Sequence, residues 1–509
     1  MLSQINSTAL MGLEVYDINI EVDASAGLPS WDIVGLPDTA VKESKERVRT
    51  AIKNSGLEFP PRHIVVNLSP ANIRKEGPGF DLPIAIAILA ATDQIETSNL
   101  EKYVFLGELG LDGSLRAVNG LLAVSLELAN SGKSLIVPNS VAKESAIGGT
   151  VTYGFDTLNE VINFLRDPSA HKAAIIPDYE SLLESQAAPF EDFCNIKGQE
   201  QAKRALEIAA AGGHNILFIG SPGSGKTMLA KALPGILPAL SREESLETTK
   251  LYSIAGLLAA NQPLITARPF RSPHHSSSAA SIIGGGRLPM PGEISLSHNG
   301  VLFLDELPEF KKDVLEALRQ PLEDRLVTVS RVSSQVTYPC KFILAAAMNP
   351  CPCGYYNDPT HACTCTPVQA QRYRNRISGP FLDRIDLQIE VTPVDFKSLH
   401  NESEIETSAQ VRERVTRARE IQSARFRGTS TFTNSAMTTA DIKKYCRLDK
   451  QSQALLEKAF TRLGMSARGH NRILKVARTI ADLAGEENIQ SNHLTEAIQY
   501  RALEKNIWQ

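Results

Sequence analysis

The sequence has no long uninterrupted apolar run. Its longest, residues 82–91, is too short to span a bilayer and contains Pro83, so no membrane partner is expected. No basic segment followed by an apolar stretch opens the chain, and the expectation is a cytoplasmic protein without a secretory leader. An excess of basic residues is missing too: 53 Lys and Arg face 57 Asp and Glu, a formal net charge of -4. That argues against a broadly basic nucleic-acid coat, although a ring can confine positive charge to its pore. The 7 cysteines form no secreted disulfide framework, and four of them fall in two close pairs. What remains is ordinary globular composition, 42% hydrophobic and 22% charged, over 509 residues. Two or three domains are expected at that length.

Against this plain background one segment carries specific chemistry. Gly220-Ser221-Pro222-Gly223-Ser224-Gly225-Lys226-Thr227 follows the apolar run Ile216-Leu217-Phe218-Ile219 and leads into a helix-forming stretch from Met228. Strand, glycine-rich loop and helix are the context of a phosphate-binding loop: backbone N–H groups converge on phosphate oxygens and the helix N-terminus favours negative charge. Lys226 would reach the β/γ-phosphates and Thr227 would ligate Mg²⁺; the residues from Gly220 to Met228 are the expected nucleotide contacts, for ATP or GTP. A second apolar strand, Val301-Leu302-Phe303-Leu304, ends in Asp305 and Glu306. Asp305 would hold Mg²⁺ and Glu306 would polarise the attacking water, an order that favours hydrolysis over passive binding. Asn349 ends a third apolar strand, where an amide could orient that water, although Asn before Pro is also common turn chemistry.

The coarse organisation is α/β. Residues 1–166 alternate strand and helix patterns, with strands at 15–22 and 63–68 and helices at 39–54 and 81–91. Residues 167–189 read as a linker, 190–392 as the nucleotide-binding core with a buried parallel sheet, and 393–509 as helical. In that last region Val411, Val415, Ala418 and Ile421 predict one buried stripe and Leu474, Ala477 and Ala481 another, with Asn492 the N-cap of the final helix.

Several further blocks give the chain a family resemblance. Asn195-Ile196-Lys197-Gly198-Gln199-Glu200, Arg268-Pro269-Phe270-Arg271-Ser272-Pro273-His274-His275, Pro291-Gly292-Glu293-Ile294-Ser295-Leu296 and Ser378-Gly379-Pro380-Phe381-Leu382-Asp383-Arg384 resemble AAA+ ATPases of the magnesium-chelatase-like type, specifically the ComM/YifB family. The resemblance implies an AAA+ P-loop core with a C-terminal helical lid, ATP and Mg²⁺ as cofactors, and adenine contacts at Ile196, Gly198 and Gln199. It also implies a sensor-1 role for Asn349, an arginine finger at Arg384 acting on a neighbouring subunit's site, a sensor-2 role for Arg468, and a homo-hexamer.

Residues 326–338 read as a hairpin. By resemblance to AAA+ helicases it projects into the pore, with Arg331 at the tip as a DNA contact. Arg271 and Arg287, in the loop from 268 to 287, are further candidate contacts to DNA or to neighbouring subunits. The adjacent His274 and His275 invite a metal, but the sequence fixes no third ligand. Cys351, Cys353, Cys363 and Cys365 can complete a tetrahedral Zn²⁺ site, with His361 able to replace one thiol; free or redox-active thiols are the alternative. Such a zinc would be a local stabiliser rather than part of the ATPase.

The N-terminal region, through Lys75-Glu76-Gly77-Pro78-Gly79-Phe80-Asp81-Leu82-Pro83, Gly107-Glu108-Leu109 and Gly120-Leu121-Leu122, resembles the Lon protease domain, of the ribosomal S5 domain 2-like fold. Gly79 and Leu122 stand where that family carries its serine and lysine, which predicts a non-proteolytic domain. Arg74 and Lys75 read as a solvated charge pair, with phosphate contacts the alternative. The function implied is a hexameric, ATP-driven DNA motor, a branch-migration helicase acting on single-stranded or branched DNA in recombination during natural transformation. The alternatives are the ATPase motor subunit of a metal chelatase, or an ATP-dependent protease or protein-remodelling factor.

Overall fold

Apolar alternation along residues 14–25 becomes a strand, Glu14–Ser25, paired antiparallel and residue by residue with Leu2–Met11. In this computed structural model the residues described are 2–176, 178, 181–182, 191–259, 262–286, 289–331, 334–356, 358, 361–394, 406–429 and 431–508. The chain divides into two units: Met1–Gln186 with Ser241–Thr266, and Ala187–Leu240 with Ala267–Gln509.

The first unit is built on a seven-stranded sheet in the order Ser30–Val34, His63–Ser69, Glu14–Ser25, Leu2–Met11, Tyr103–Phe105, Ser134–Pro138, Thr152–Phe155. Helix Thr39–Asn54 presents Val41, Val48, Ala51 and Ile52 to the core and is capped by Asp38, whose carboxylate accepts the Val41 amide at 2.8 Å. Helix Asp81–Ala91 is buried along its whole length, which its all-round apolar sequence requires. Its single acid, Asp81, is satisfied there by Arg47 at 2.7 Å and by Ser44. Lys75 departs from the solvated reading: it is fully buried, its ammonium donates to the Pro70 carbonyl, and burial lowers its pKa.

Helix Arg242–Ile254, within the stretch read from sequence as ATPase core, belongs to this first unit. The Gly120 amide donates to the Ser253 carbonyl at 3.1 Å, and the Ser253 hydroxyl donates to the buried Glu144 carboxylate. These partners lie more than 100 residues away in sequence, which is why no local pattern announces the pairing.

The second unit contains a five-stranded parallel sheet ordered Phe270–Arg271, Val301–Leu304, Ile343–Met348, Ile216–Ile219, Leu387–Glu390. Each residue of the three central strands is buried, as continuous apolar runs predict for a parallel sheet covered on both faces. The hairpin Leu326–Arg331 and Ser334–Pro339 forms a separate two-stranded ribbon whose Val327, Val329, Val336 and Tyr338 face inward.

The C-terminal region is helical, with Ser408–Arg425, Thr439–Tyr445, Lys450–Leu463, Ala467–Leu483 and Ser491–Trp508. Leu474, Ala477 and Ala481 are buried as predicted, but the first stripe ends differently. Val411, Val415 and Ala418 are continued by Gln422, while Ile421 is exposed. Spacings of 4, 3 and 4 keep a helix on one face, and the Gln422 amide has partners to justify burial: it donates to the Ala211 carbonyl at 3.0 Å and accepts from the Asn434 amide at 2.9 Å. Asn492 lies inside the last helix rather than capping it; the Gln490 amide, just before the helix, donates to His493 Nδ1 at 3.2 Å.

Gln422→Ala is expected to destabilise the second unit by about 1–3 kcal/mol, because two buried backbone groups lose partners. Ile421→Ala is expected to stay within about 0.5 kcal/mol. Thermal unfolding of the two variants checks this, and equal effects would contradict the buried stripe.

Candidate nucleotide site

The sheet places the phosphate loop, Asn349 and Asp305 at the C-terminal ends of three neighbouring strands, where open α/β sheets bind ligands. The loop requires its glycines. Gly223 and Gly225 have φ of +76° and +94°, and a Cβ on Gly220 would meet the Val391 carbonyl oxygen at 2.2 Å. Helix Lys226–Ile236 starts directly after the loop. Lys226 Nζ donates to the carbonyls of Gly220 and Ser221 at 2.9 and 2.8 Å and reaches Asn349 Oδ1 at 3.3 Å. Burial lowers its pKa, with Asp305 acting in the opposite direction. Thr227 Oγ1 donates to Asp305 Oδ2 at 2.8 Å. The Ser221 hydroxyl is buried with no hydrogen-bond partner among the described residues. A partnerless buried hydroxyl, a lysine folded onto loop carbonyls, a helix N-terminus and a hydroxyl–carboxylate pair together fit a nucleoside triphosphate with its Mg²⁺.

Glu306 follows Asp305 with a left-handed backbone, φ +52°, uncommon for a non-glycine residue and characteristic of strained functional positions. It lines a cavity of about 480 Å³ with Glu309, Asn349, Pro352, Arg372 and Tyr373. His275 Nδ1 lies 3.1 Å from its carboxylate, a partner that sequence reasoning missed although the paired histidines had drawn notice. The His274 ring lies tilted against His275, centroids 4.1 Å apart, and neither joins a metal-ligand group among the described residues. Around the loop, Gln199 donates to the carbonyls of Ser224 at 3.3 Å and Thr392 at 2.6 Å, bridging loop and strand end. Gly198, φ +61°, precedes it. Ile196 is buried in the main core and Met228 packs partly against it, so the structure puts both side chains into packing.

Arg384 and Arg468 come together elsewhere. Both line a cavity of about 380 Å³ with Arg325, Asp386, Arg472 and Lys475, and among the described residues no member of the phosphate loop lines it. Arg384 is 7% exposed, its guanidinium donating to the carbonyls of Arg319 at 3.1 Å and Pro380 at 2.6 Å and pairing with Glu323 at 2.6 Å. Burial lowers the pKa of Arg325, Arg472 and Lys475. Burial alone would raise that of Asp386, but His214 and Arg472 hold it well below the usual carboxylate range. Five cations, Arg325, Arg384, Arg468, Arg472 and Lys475, against two carboxylates, Glu323 and Asp386, make a pocket suited to an anion. Arg472 and Lys475 escaped sequence reasoning, although their spacing from Arg468 along helix Ala467–Leu483 puts all three on one face.

The remaining expected residues separate. Arg331 ends its strand opposite Ser334, at the turn end of the hairpin. Arg271, expected among the contacts to DNA or to neighbouring subunits, donates to Glu293 through Nε and Nη2 at 2.7 and 2.8 Å. Arg287 lies outside the described residues. The sulfurs of Cys351, Cys353, Cys363 and Cys365 all lie within 4.8 Å of one another. His361 is not among them; its ring stacks on Tyr355 at 4.8 Å. In the first unit, Gly79 sits in a single 3-10 turn and Leu122 is buried beside Ile147 and Leu264, so neither position offers a nucleophile or base.

These features define a magnesium-chelatase-like AAA+ ATPase. Three family models agree: "Magnesium chelatase, subunit ChlI" over residues 192–399, "Subunit ChlI of Mg-chelatase" over 20–141, and "Magnesium chelatase, subunit ChlI C-terminal" over 405–501. The chain is 47% identical over 504 residues to the competence protein ComM of Haemophilus influenzae, covering 99% of this chain and 98% of that one. It is 46% identical over 507 residues to YifB of Salmonella typhimurium, covering 99% and 98%. It belongs to the ComM/YifB family. A shorter likeness, 42% over 74 residues, is to the archaeal Lon protease of Methanothermobacter thermautotrophicus, covering 14% of this chain and 11% of that one. No described helix is long and apolar enough to cross a membrane.

Glu306→Gln is expected to retain ATP binding while hydrolysis falls by about 10²-fold or more. Binding of a fluorescent ATP analogue and phosphate release check this; normal turnover would remove Glu306 from the reaction.

Proposed function

We propose that the chain is an ATP-driven motor that works on single-stranded or branched DNA as a homo-hexameric ring, and that its task is branch migration during recombination of incoming DNA in natural transformation. The observation that carries the reading is the hairpin of Leu326–Arg331 and Ser334–Pro339, inserted between the strand ending in Asp305 and the strand ending in Asn349. The hairpin follows the strand that leads to Asp305 and precedes the strand that leads to Asn349, and Arg331 stands at its turn end. Six such arginines would give a positive collar in a chain of net charge -4. The name of the Haemophilus relative, a competence protein, supports the biological setting.

In this reading Lys226 binds the β/γ-phosphates, Thr227 and Asp305 hold Mg²⁺, and the metal supplies charge neutralisation between the phosphates. Glu306 accepts the proton of the attacking water, His275 holds the Glu306 carboxylate in place, and Asn349 orients the same water. Arg384 and Arg468 share a cavity apart from their own phosphate loop, which suits action on a neighbouring subunit's nucleotide.

The four thiols take Zn²⁺ in this reading. Sulfur separations of 3.3, 3.5 and 3.7 Å among Cys351, Cys353 and Cys363 are near the roughly 3.8 Å edge of a tetrahedron with Zn–S bonds of about 2.3 Å. Amides, that of Tyr355 foremost and that of Thr364 after it, hold the pKa of Cys353 down to about 5.

The chelatase family models favour one competing reading, a motor that inserts a metal into a tetrapyrrole. Stimulation of ATP hydrolysis by a synthetic Holliday junction, with strand displacement on the same substrate, distinguishes the two. Arg331→Ala is expected to abolish the stimulation while leaving basal hydrolysis; stimulation by a chelatase partner alone would overturn the DNA reading. Arg384→Ala is expected to assemble normally and to lose about 10³-fold in hydrolysis. Sedimentation with nucleotide and DNA, alongside phosphate release, checks it; wild-type turnover in an assembled variant would refute the finger.

A further inference from the structure

The cysteine loop was expected to stand apart from the ATPase, yet it walls the nucleotide site. Gly354, directly after Cys353, is buried with φ +88°, and a Cβ there would lie 2.5 Å from Pro222 Cδ in the phosphate loop. Pro352, between the first two cysteines, lines the same cavity as Glu306 and Asn349. Tyr356 and Asp358 line a small hollow with Gly220 and Ser221, and the Arg374 guanidinium covers the Tyr356 ring at 4.9 Å. One short segment thus touches the phosphate loop from two sides.

The segment also has contacts of its own: the Gly354 amide donates to the Cys351 carbonyl at 3.0 Å and the Asp358 amide to the Tyr355 carbonyl at 3.1 Å. Of the four cysteines only Cys351 is buried, and it continues directly from the strand that ends at Met348. The second pair is joined to the first by sulfur contacts and by the Cys353 amide, which donates to Cys365 Sγ at 3.4 Å. Ligation of all four sulfurs would close the loop that they bracket.

We propose that metal occupancy of the four-cysteine site controls the nucleotide site: zinc held by Cys351, Cys353, Cys363 and Cys365 keeps Gly354 seated on Pro222, and without the metal the phosphate loop loses its outer wall. The inference rests on the zinc reading given above. It changes the zinc from a local staple into an effector of ATP binding, coupled through a contact between residues 132 positions apart.

The test uses the full chain. Zinc is measured by elemental analysis, then removed with a thiol-reactive mercurial and chelator; excess dithiothreitol then takes the mercury off the cysteines, and the protein is returned to Mg²⁺ buffer. Affinity for a fluorescent ATP analogue is titrated before removal, after removal and after addition of zinc chloride, with circular dichroism as the check on fold. The expected result is one zinc per chain, and a loss of affinity on removal of about tenfold, inside the range usual for coupled sites, that added zinc reverses. Gly354→Ala is expected to keep its zinc and still lose affinity, since the added methyl group pushes on Pro222. Stoichiometric zinc whose removal leaves nucleotide affinity unchanged overturns the coupling alone. So does a zinc-replete Gly354→Ala protein with unaltered affinity. A folded protein purified without chelators that contains no zinc overturns the metal reading, and the coupling with it.

Discussion

Strand Ile343–Met348 pairs in parallel with Ile216–Ile219 on one side and Val301–Leu304 on the other, and the chemistry of the second unit depends on that double pairing. Met348 lies opposite Ile219 and Ala346 opposite Leu304, so Asn349 emerges between the phosphate loop and the two carboxylates. A slip of one residue on either side would turn every side chain of that strand to the opposite face and remove the Lys226–Asn349 contact. Burial fixes the register: Ala345, Ala346 and Ala347 are fully enclosed, and no larger side chain marks any other alignment as acceptable.

The lid is held by polar contacts as much as by apolar ones. Arg425 and Arg478 converge on Asp482, a carboxylate with no solvent exposure, and Asn434 donates to the same carboxylate at 2.7 Å. His214 links the Thr479 hydroxyl at 2.8 Å to Asp386 at 3.4 Å, tying helix Ala467–Leu483 to the strand region that carries Arg384. Buried charges satisfied this completely resist partial opening, because release of one partner strands the others. Helix Ala467–Leu483 and the residues just before strand Leu387–Glu390 are thereby held together.

Legibility in the sequence follows contact range. The phosphate loop, the Asp305–Glu306 strand end, the hairpin and helices such as Thr39–Asn54 are specified by neighbours along the chain, and each was readable there. Where the structure departs from the local pattern, the cause is packing assembled by the whole unit. Gln422 displaces Ile421 from the core because Ala211, 211 positions away, offers a carbonyl. Lys75 is buried against Pro70 inside a turn whose apolar surroundings arise from the whole unit. The approach of Gly354 to Pro222 left no local trace beyond a glycine after a cysteine. Arg472 and Lys475 were discoverable, since helical spacing alone aligns them with Arg468.

The left-handed backbone of Glu306 has an evolutionary consequence. Glycine is the residue that this conformation welcomes, so, with Glu306 as the proposed catalytic carboxylate, the fold would gain stability from the replacement that silences the chemistry. Selection for durability and selection for work thus pull in opposite directions at a single codon. Descendants released from the second pressure should drift toward glycine there first.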